Sequence, residues 1–416
     1  MSILIKGGIV VTQDKDRKVL VADVLIDKNK IKSVGKHKAS EADQVIDAKG
    51  KIVMPGLVNL HQHVAMATMR GIADDVTFDK FLEKTFAADA KRTEDDILDG
   101  ARLGCAESAL TGTTSFLDLY YGEDLVAKAV EETGLRGFLG WAVLDDDKTT
   151  QKGSPIKNAA KFIDKWKGSR LVKPCIGPQG VYVCSEETMH KARELADKKK
   201  TFCHYHLSET RGEVYGHLSK TQKRPVDWLH DIGFLSKGDV AVHVCWITKH
   251  EAKLLADAGT SVAHCPTSNM KLAVGGVAPV AEIKECGGTV GLGTDGCSSN
   301  NSLDMFSEMK ICSLLHKHSR WDPTAMSAQQ VLDMATVEGA KALGMGAKLG
   351  SIESGKLADI AIIDSTRIGM IPTTAKNAVS NLVYSCSGQN VFCTIVDGKI
   401  VAYDGQLVGK CCCGDH

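Results

Sequence analysis

Between residues 55 and 356 the chain alternates eight times between a short apolar segment of strand type and a longer amphipathic segment of helix type. That rhythm constrains the fold more than any other feature, because parallel strands need a crossover connection and helices supply it. The apolar segments are LVNLHQH, TTSFLDLYY, RGFLGWAVL, VKPCIGPQG, TFCHYHLSE, VAVHVCWI, SVAHCPTSN and TVGLGTDG. Between them lie stretches such as TEDDILDGARLGCAESALTG and SEETMHKARELADKKK. Both have Thr or Ser ahead of acidic residues, a helix N-terminal signal. Eight β-then-α units over about 300 residues predict an α/β fold, a parallel (β/α)8 barrel of TIM type.

The two ends have a different texture. Residues 1–54 contain ILIKGGIVV, VLVADVLID, KIKSVG and KIVMPG, separated by polar or glycine turns. Residues 357–416 contain KLADIAIID and VFCTIVDGKIVAYDG, with Asp397-Gly398 as a hairpin turn. Each end alone is too small for a good sandwich. The expected organisation is therefore a small composite β-sandwich of residues 1–54 and 357–416, beside a barrel of residues 55–356.

Composition narrows the partners. Lys+Arg and Asp+Glu both number 51, so no global basic field exists to hold nucleic acid or a membrane surface, and neither partner is expected. No apolar run reaches membrane-spanning length, and the N-terminus lacks signal-peptide features, so a soluble, cytoplasmic protein is expected. Of the 14 cysteines, most are isolated and several lie in apolar runs, as small buried hydrophobes do in a reducing compartment. The tail Cys411-Cys412-Cys413 reads as a frayed terminus in preference to a soft-metal site.

A barrel of this kind carries its chemistry at the C-terminal ends of its strands. There the sequence puts His61 and His63 (segment one), His206 with Glu209 (five), His243 (six), His264 (seven) and Asp295 (eight). A single HxH is weak evidence, since 14 histidines in 416 residues give about half a pair by chance. Three pairs are present. Residues i and i+2 share a face of a strand, so His61 and His63 both point inward while Gln62 faces the outer helices. His316 and His318 fall in a helix, where such a pair diverges, and read as a solvated face. With His206 and Asp295, the first pair offers three nitrogens and an oxygen to one divalent metal ion, Zn²⁺ in first place and Fe²⁺ in second, with a position left for water. His204 reads as a core residue one layer deeper, and His264 as a hydrogen-bonding group. The fourth strand ends IGPQG, with Lys173 at its beginning, so no bridging lysine is available for a second ion.

PGLVNLHQH, HLSET, the histidine of VAVHVCW, SNMKLAVGGVAPV and GTDGCSSNNSLDMF together resemble the amidohydrolase superfamily. The branch they resemble is that of the methylthioadenosine/S-adenosylhomocysteine deaminases, with triazine hydrolases as near relatives. The resemblance implies metal ligands at His61, His63, His206 and Asp295, a proton-shuttling Glu209, a water-orienting His243, and Asp295 as acceptor of the water's proton. It also implies substrate contacts. Asp89 matches a glutamate that reads ribose hydroxyls, Gln179 a histidine after the fourth strand, and Trp141 an arginine that grips a carboxylate. Asp145, Asp146 and Asp147 then follow where that tail would lie.

The implied activity is hydrolytic deamination of an adenine nucleoside with an uncharged tail. The alternatives are hydrolysis of an s-triazine, deamination of a free base, or an inactive scaffold. A homo-oligomer is implied as well. In the loop of residues 64–92, Met66, Met69, Phe81, Phe86 and Asp89 suit a pocket wall and a simple helical cover equally.

Overall fold

The computed structural model describes residues 1–409; the Cys411-Cys412-Cys413 run lies outside the described residues. All eight apolar segments form strands: Leu57–Gln62, Thr113–Tyr120, Arg136–Val143, Val172–Pro178, His204–Leu207, Val240–His243, Ser261–His264 and Val290–Leu292. They are numbered one to eight below. Strands one to four form one parallel sheet and strands five to eight another. Both seams are bridged. Ile176 pairs with Cys203 between strands four and five, and the Asp295 amide donates to the His61 carbonyl at 2.9 Å, from the end of strand eight to strand one. The result is a (β/α)8 barrel.

Every residue of strand two is buried, because one face lines the barrel and the other lies under helices. The helix signals act as read. Thr93 caps Glu94–Leu110 in a reciprocal pair with Asp96, and Ser185 caps Glu186–Lys199 by accepting from the Thr188 amide.

Strands from both chain ends share one nine-stranded sheet. Its central joint is the antiparallel pairing of Lys51–Pro55 with Ile360–Asp364. Ile5, Ile26, Ile46, Ile360, Ile362 and Ile395 belong to one buried cluster that draws on both ends. Burying them together removes apolar area that neither end could cover alone.

Arg136, at the start of strand three, ties this sheet to the barrel floor. Its guanidinium donates twice to the Asp359 carboxylate at 3.1 Å and lies 3.8 Å from Asp397. Arg136 and Asp359 side chains are 2% and 4% exposed. Removing one partner of a buried pair strands the other charge and costs about 3–5 kcal/mol. Asp359→Ala should therefore lower the thermal unfolding temperature by several degrees. An unchanged transition in differential scanning calorimetry would show that the pair does not join the two parts.

Candidate active site

The strand ends turn sharply. Ser208, His243 and Asp295 have φ of 49°, 72° and 62°, in the left-handed region that such residues seldom adopt. Each costs on the order of 1–3 kcal/mol and persists only where the surroundings hold it. Here the turns bring side chains from strands one, five, six and eight onto one rim.

Each imidazole at the rim is held through Nδ1. His63 Nδ1 donates to the Leu119 carbonyl at 2.6 Å, and His206 Nδ1 to the Gln179 carbonyl at 2.7 Å. His243 Nδ1 meets Asn269 Oδ1 at 2.9 Å. His61 Nδ1 lies 3.0 Å from His204 Nε2, and His204 Nδ1 lies 3.3 Å from the Asp118 carbonyl. A carbonyl only accepts, so His204 carries its proton on Nδ1 and His61 donates to it. In the neutral rings of His61, His63, His206 and His243 these assignments leave Nε2 without a proton, while His204 Nε2 accepts from His61. His63 alone is shifted upward, because burial lowers it but the adjoining Asp295 carboxylate outweighs that. Burial holds His61 well below the usual imidazole range and His206 down at about 3, with the neighbouring His243 adding to the second shift. Neutral imidazoles with free nitrogens are what a cation requires.

Asp295 completes the group. Its Oδ1 lies 3.3 Å from Nε2 of both His61 and His63. Ser268 Oγ and Ser299 Oγ donate to Oδ2 at 2.6 and 2.9 Å. Burial alone would raise this carboxyl, but the ring nitrogens of His61 and His63 beside it outweigh that and hold the group well below the usual carboxylate range. Two residues outside the motif pairs make the approach possible. A Cβ on Gly293 would sit 2.8 Å from the His61 amide nitrogen, so only glycine fits there. The amide of Asn59 staples strand one to Thr294 through bonds of 2.7 and 3.0 Å.

Nε2 of His61 is buried and has no hydrogen-bond partner. A donor atom of His61 lies with those of His63 and His206 inside a 4.8 Å cluster, and with those of His243 and Asp295 inside another. An orphaned buried nitrogen among neutral imidazoles and a carboxylate fits a divalent cation, which satisfies it without a proton.

Glu209 and His243 stand beside this cluster, 3.8 Å apart. Burial, and then the charge of Asp295, raises the Glu209 carboxyl to about 8. Its position depends on Glu213, whose carboxylate accepts from the backbone amides of Ser208 and Glu209, both at 2.8 Å. Glu213 is absent from the sequence expectations. The signal was present, since Thr210 caps the helix and Thr210-x-x-Glu213 is a capping-box spacing.

The rim opens into a cavity of about 430 Å³, whose lining includes His63, His206, Glu209, His243 and Asp295. Met66, Phe81 and Phe86 also line it, and Met69 does not. Asp89 and Gln179 are brought to the cavity. Asp89 accepts a short hydrogen bond from Tyr120, and Arg92 lies 3.6 Å behind it. Trp141 is not brought there. Its ring packs 5.6 Å from Phe162 and its indole donates to Gln151 at 2.8 Å. The period of strand three turns residue 141 towards the outer helix, whereas Ala142 lines the cavity.

The solvated face expected for His316 and His318 is also corrected. His318 is exposed, but His316 is buried against His264. The i, i+2 divergence that spoils chelation is also what sends one of the two inward. His204 is buried as expected, yet it orients His61 instead of only filling space.

The chain matches the amidohydrolase family over residues 52–401. It is 44% identical over 411 residues to a 5-methylthioadenosine/S-adenosylhomocysteine deaminase of Thermococcus onnurineus, covering 98% of this chain and 95% of that protein. It is 42% identical over 410 residues to a 5′-deoxyadenosine deaminase of Methanosarcina mazei, covering 98% and 94%. Among solved structures, an adenosine deaminase of Xanthomonas campestris with bound zinc superposes with a TM-score of 0.93 at 31% identity, covering 98% and 94%. The barrel and the rim thus define a metal-dependent hydrolase scaffold. The chain belongs to the amidohydrolase family.

Removing an outer partner of a metal-binding histidine costs about 10–100-fold in affinity. His204→Phe, which keeps the volume but not the acceptor for His61, should weaken metal binding by that factor in competition with a chelator. Unaltered affinity would remove His204 from the support of the site.

Proposed function

We propose that this protein hydrolytically deaminates an adenine nucleoside with an uncharged 5′ end, of the 5′-deoxyadenosine or methylthioadenosine type. The observation that carries the reading is the placement of Glu209. It is a buried acid whose carboxyl is pushed up to about 8 by burial and then by Asp295, facing the same cavity as the imidazole nitrogens. The relatives named for deamination of such nucleosides support it.

His61, His63, His206 and Asp295 would hold one divalent ion, zinc by the nature of the donor set. When bound, such an ion supplies Lewis acidity, which brings the pKa of water from about 15.7 towards 7. Asp295 takes a proton from the attacking water, and its low pKa keeps it ionised until then. His243, with Nδ1 held by Asn269, offers Nε2 to orient that water. Glu209 delivers its proton to the ring nitrogen next to the carbon bearing the amino group, making that carbon electrophilic. The water oxygen bonds to the carbon, and the proton of the added hydroxyl passes through the now ionised Glu209 to the amino group. The C–N bond breaks, ammonia departs, and the proton held by Asp295 returns to Glu209. A ring carbonyl remains.

Asp89, held by Tyr120, would accept from ribose hydroxyls, and the backbone carbonyl of Gln179 fixes His206. The tail preference follows from charge. Asp89, Glu209 and Asp295 line the cavity, and Lys148 is the single Lys or Arg among its described lining residues. Lys148 is already 3.0 Å from Asp147. The carboxylate of an S-adenosylhomocysteine tail therefore lacks a strong counter-charge. No helix among the described residues is long and apolar enough to cross a membrane. The reading includes catalysis within residues 55–356, a composite unit of residues 1–54 and 357–416, a cytoplasmic location and a homo-oligomer with no nucleic-acid or lipid partner.

Ammonia release should be readily measured with 5′-deoxyadenosine and methylthioadenosine, with kcat/KM at least about tenfold lower for S-adenosylhomocysteine. Turnover of free bases or s-triazines without nucleosides would overturn the substrate assignment. Glu209→Gln should keep its metal and lose about 10²–10⁴-fold in kcat. Near-normal turnover would exclude Glu209 as the acid. Because Glu209 must be protonated to act, kcat/KM should fall as pH rises through its pKa, which a bound cation draws below about 8. A profile still rising steadily to pH well above this value would contradict that role.

A further inference from the structure

We propose that the chain carries a second metal site, separate from the active site, in which His264, Cys312 and His316 bind a thiophilic d¹⁰ cation such as Zn²⁺ or Cu⁺. The donor atoms of the three residues lie within 4.8 Å of one another, and all three residues are buried. His264 ends strand seven. Cys312 and His316 stand four residues apart on the helix Met305–Arg320, and so share one face of it. None of the three is a member of the His61, His63, His206 and Asp295 group.

The spacing already suits an ion. His264 Nε2 and His316 Nε2 are 3.1 Å apart. Two nitrogens bound tetrahedrally to zinc at its usual bond length would be about 3.3 Å apart. Burial keeps both rings neutral, His264 well below the usual range and His316 at about 4. One must therefore spend its only N–H on the other. The second nitrogen of His264 is buried with no hydrogen-bond partner at all. Such a polar contact is poorly satisfied for so buried a place. An ion placed between the rings satisfies both Nε2 atoms at once.

Cys312 supplies the thiolate. Burial, and then the charge of Glu308, pushes its thiol up, so it stays protonated until an ion displaces the proton. Binding of one ion thus forms a sulfur–metal bond, breaks the S–H bond and releases one proton to solvent. Glu308 lies one helical turn before Cys312 and is itself buried, so its carboxylate can balance the remaining charge. A route in exists. A cleft of about 210 Å³ is lined by His264, Asn269, Met270, Val277 and Leu315, and Met270 and Val277 are exposed.

The donor chemistry separates this site from the catalytic one, which contains no sulfur. The test uses full-length protein in which Cys411, Cys412 and Cys413 are replaced by serine, titrated with Co²⁺. The expected result is a sulfur-to-cobalt charge-transfer band in the near ultraviolet that grows with a second equivalent of Co²⁺, with release of one proton. Cys312→Ser should abolish the band while the first equivalent and the deaminase activity persist. His316→Gln keeps the thiol but loses a donor, and should weaken second-site binding by about tenfold or more. It serves as the reporter should Cys312→Ser fold poorly. Absence of the band in the tail-serine protein, its persistence in Cys312→Ser, or unchanged second-site affinity in His316→Gln would each overturn the proposal. Loss of deaminase activity on every nucleoside, with the band intact, would count against the proposed function and leave this site standing.

Discussion

The active rim depends on one kind of interaction, the hydrogen bond that fixes Nδ1 of each inward-facing imidazole. Leu119 and Gln179 present carbonyls to His63 and His206, Asn269 presents its side-chain oxygen to His243, and His204 receives His61. A free imidazole has two tautomers and rotates about two bonds. These partners select one tautomer and one orientation, so in the neutral rings four Nε2 lone pairs converge. The arrangement is costly in isolation, because it leaves a buried nitrogen unsatisfied. It makes sense as half of a binding reaction, in which the cation returns what the fold gives up.

The rest of the barrel serves that convergence. Gly293 lets strand eight approach His61 more closely than any side chain would allow, and Asn59 holds the same seam from within. The left-handed turns at Ser208, His243 and Asp295 sit where polar clamps surround them: Glu213 on the first, Asn269 on the second, Ser268 and Ser299 on the third. Strain and clamp occur together, as expected where geometry is held for chemistry. The nine-stranded sheet lies outside this, joined to the barrel floor through Arg136 and Asp359.

Much of this was legible in the sequence because it follows from period. Strand period two places His61 and His63 on one side, and eight β-then-α repeats leave little choice but a barrel. The positions of Asp89 and Gln179 came from resemblance, and both line the cavity. Trp141 came the same way and does not, because a matched position carries a residue's place along the strand but not what its neighbours leave open to it. Glu213 and Asn59 were missed for another reason. The Thr210-x-x-Glu213 spacing marks a helix start but not the amides of Ser208 and Glu209 that the carboxylate clamps, and Asn59 acts on a seam between strands distant in sequence, about which local patterns say little. His316 shows the limit of a rule that asks only whether two neighbours chelate together. It diverges from His318 and finds its partner on strand seven instead.

Several features follow from this account: an acid kept protonated by burial, a water-orienting histidine and a carboxylate that stays ionised. To turn over substrate, all three need one cation at the point where the imidazoles meet. The most direct test is an anomalous difference map at the zinc edge from crystals of the protein purified in the presence of zinc. The account predicts a strong peak at about 2.0–2.2 Å from Nε2 of His61, His63 and His206 and from a carboxylate oxygen of Asp295. A map without density there, with the four side chains ordered, would contradict it.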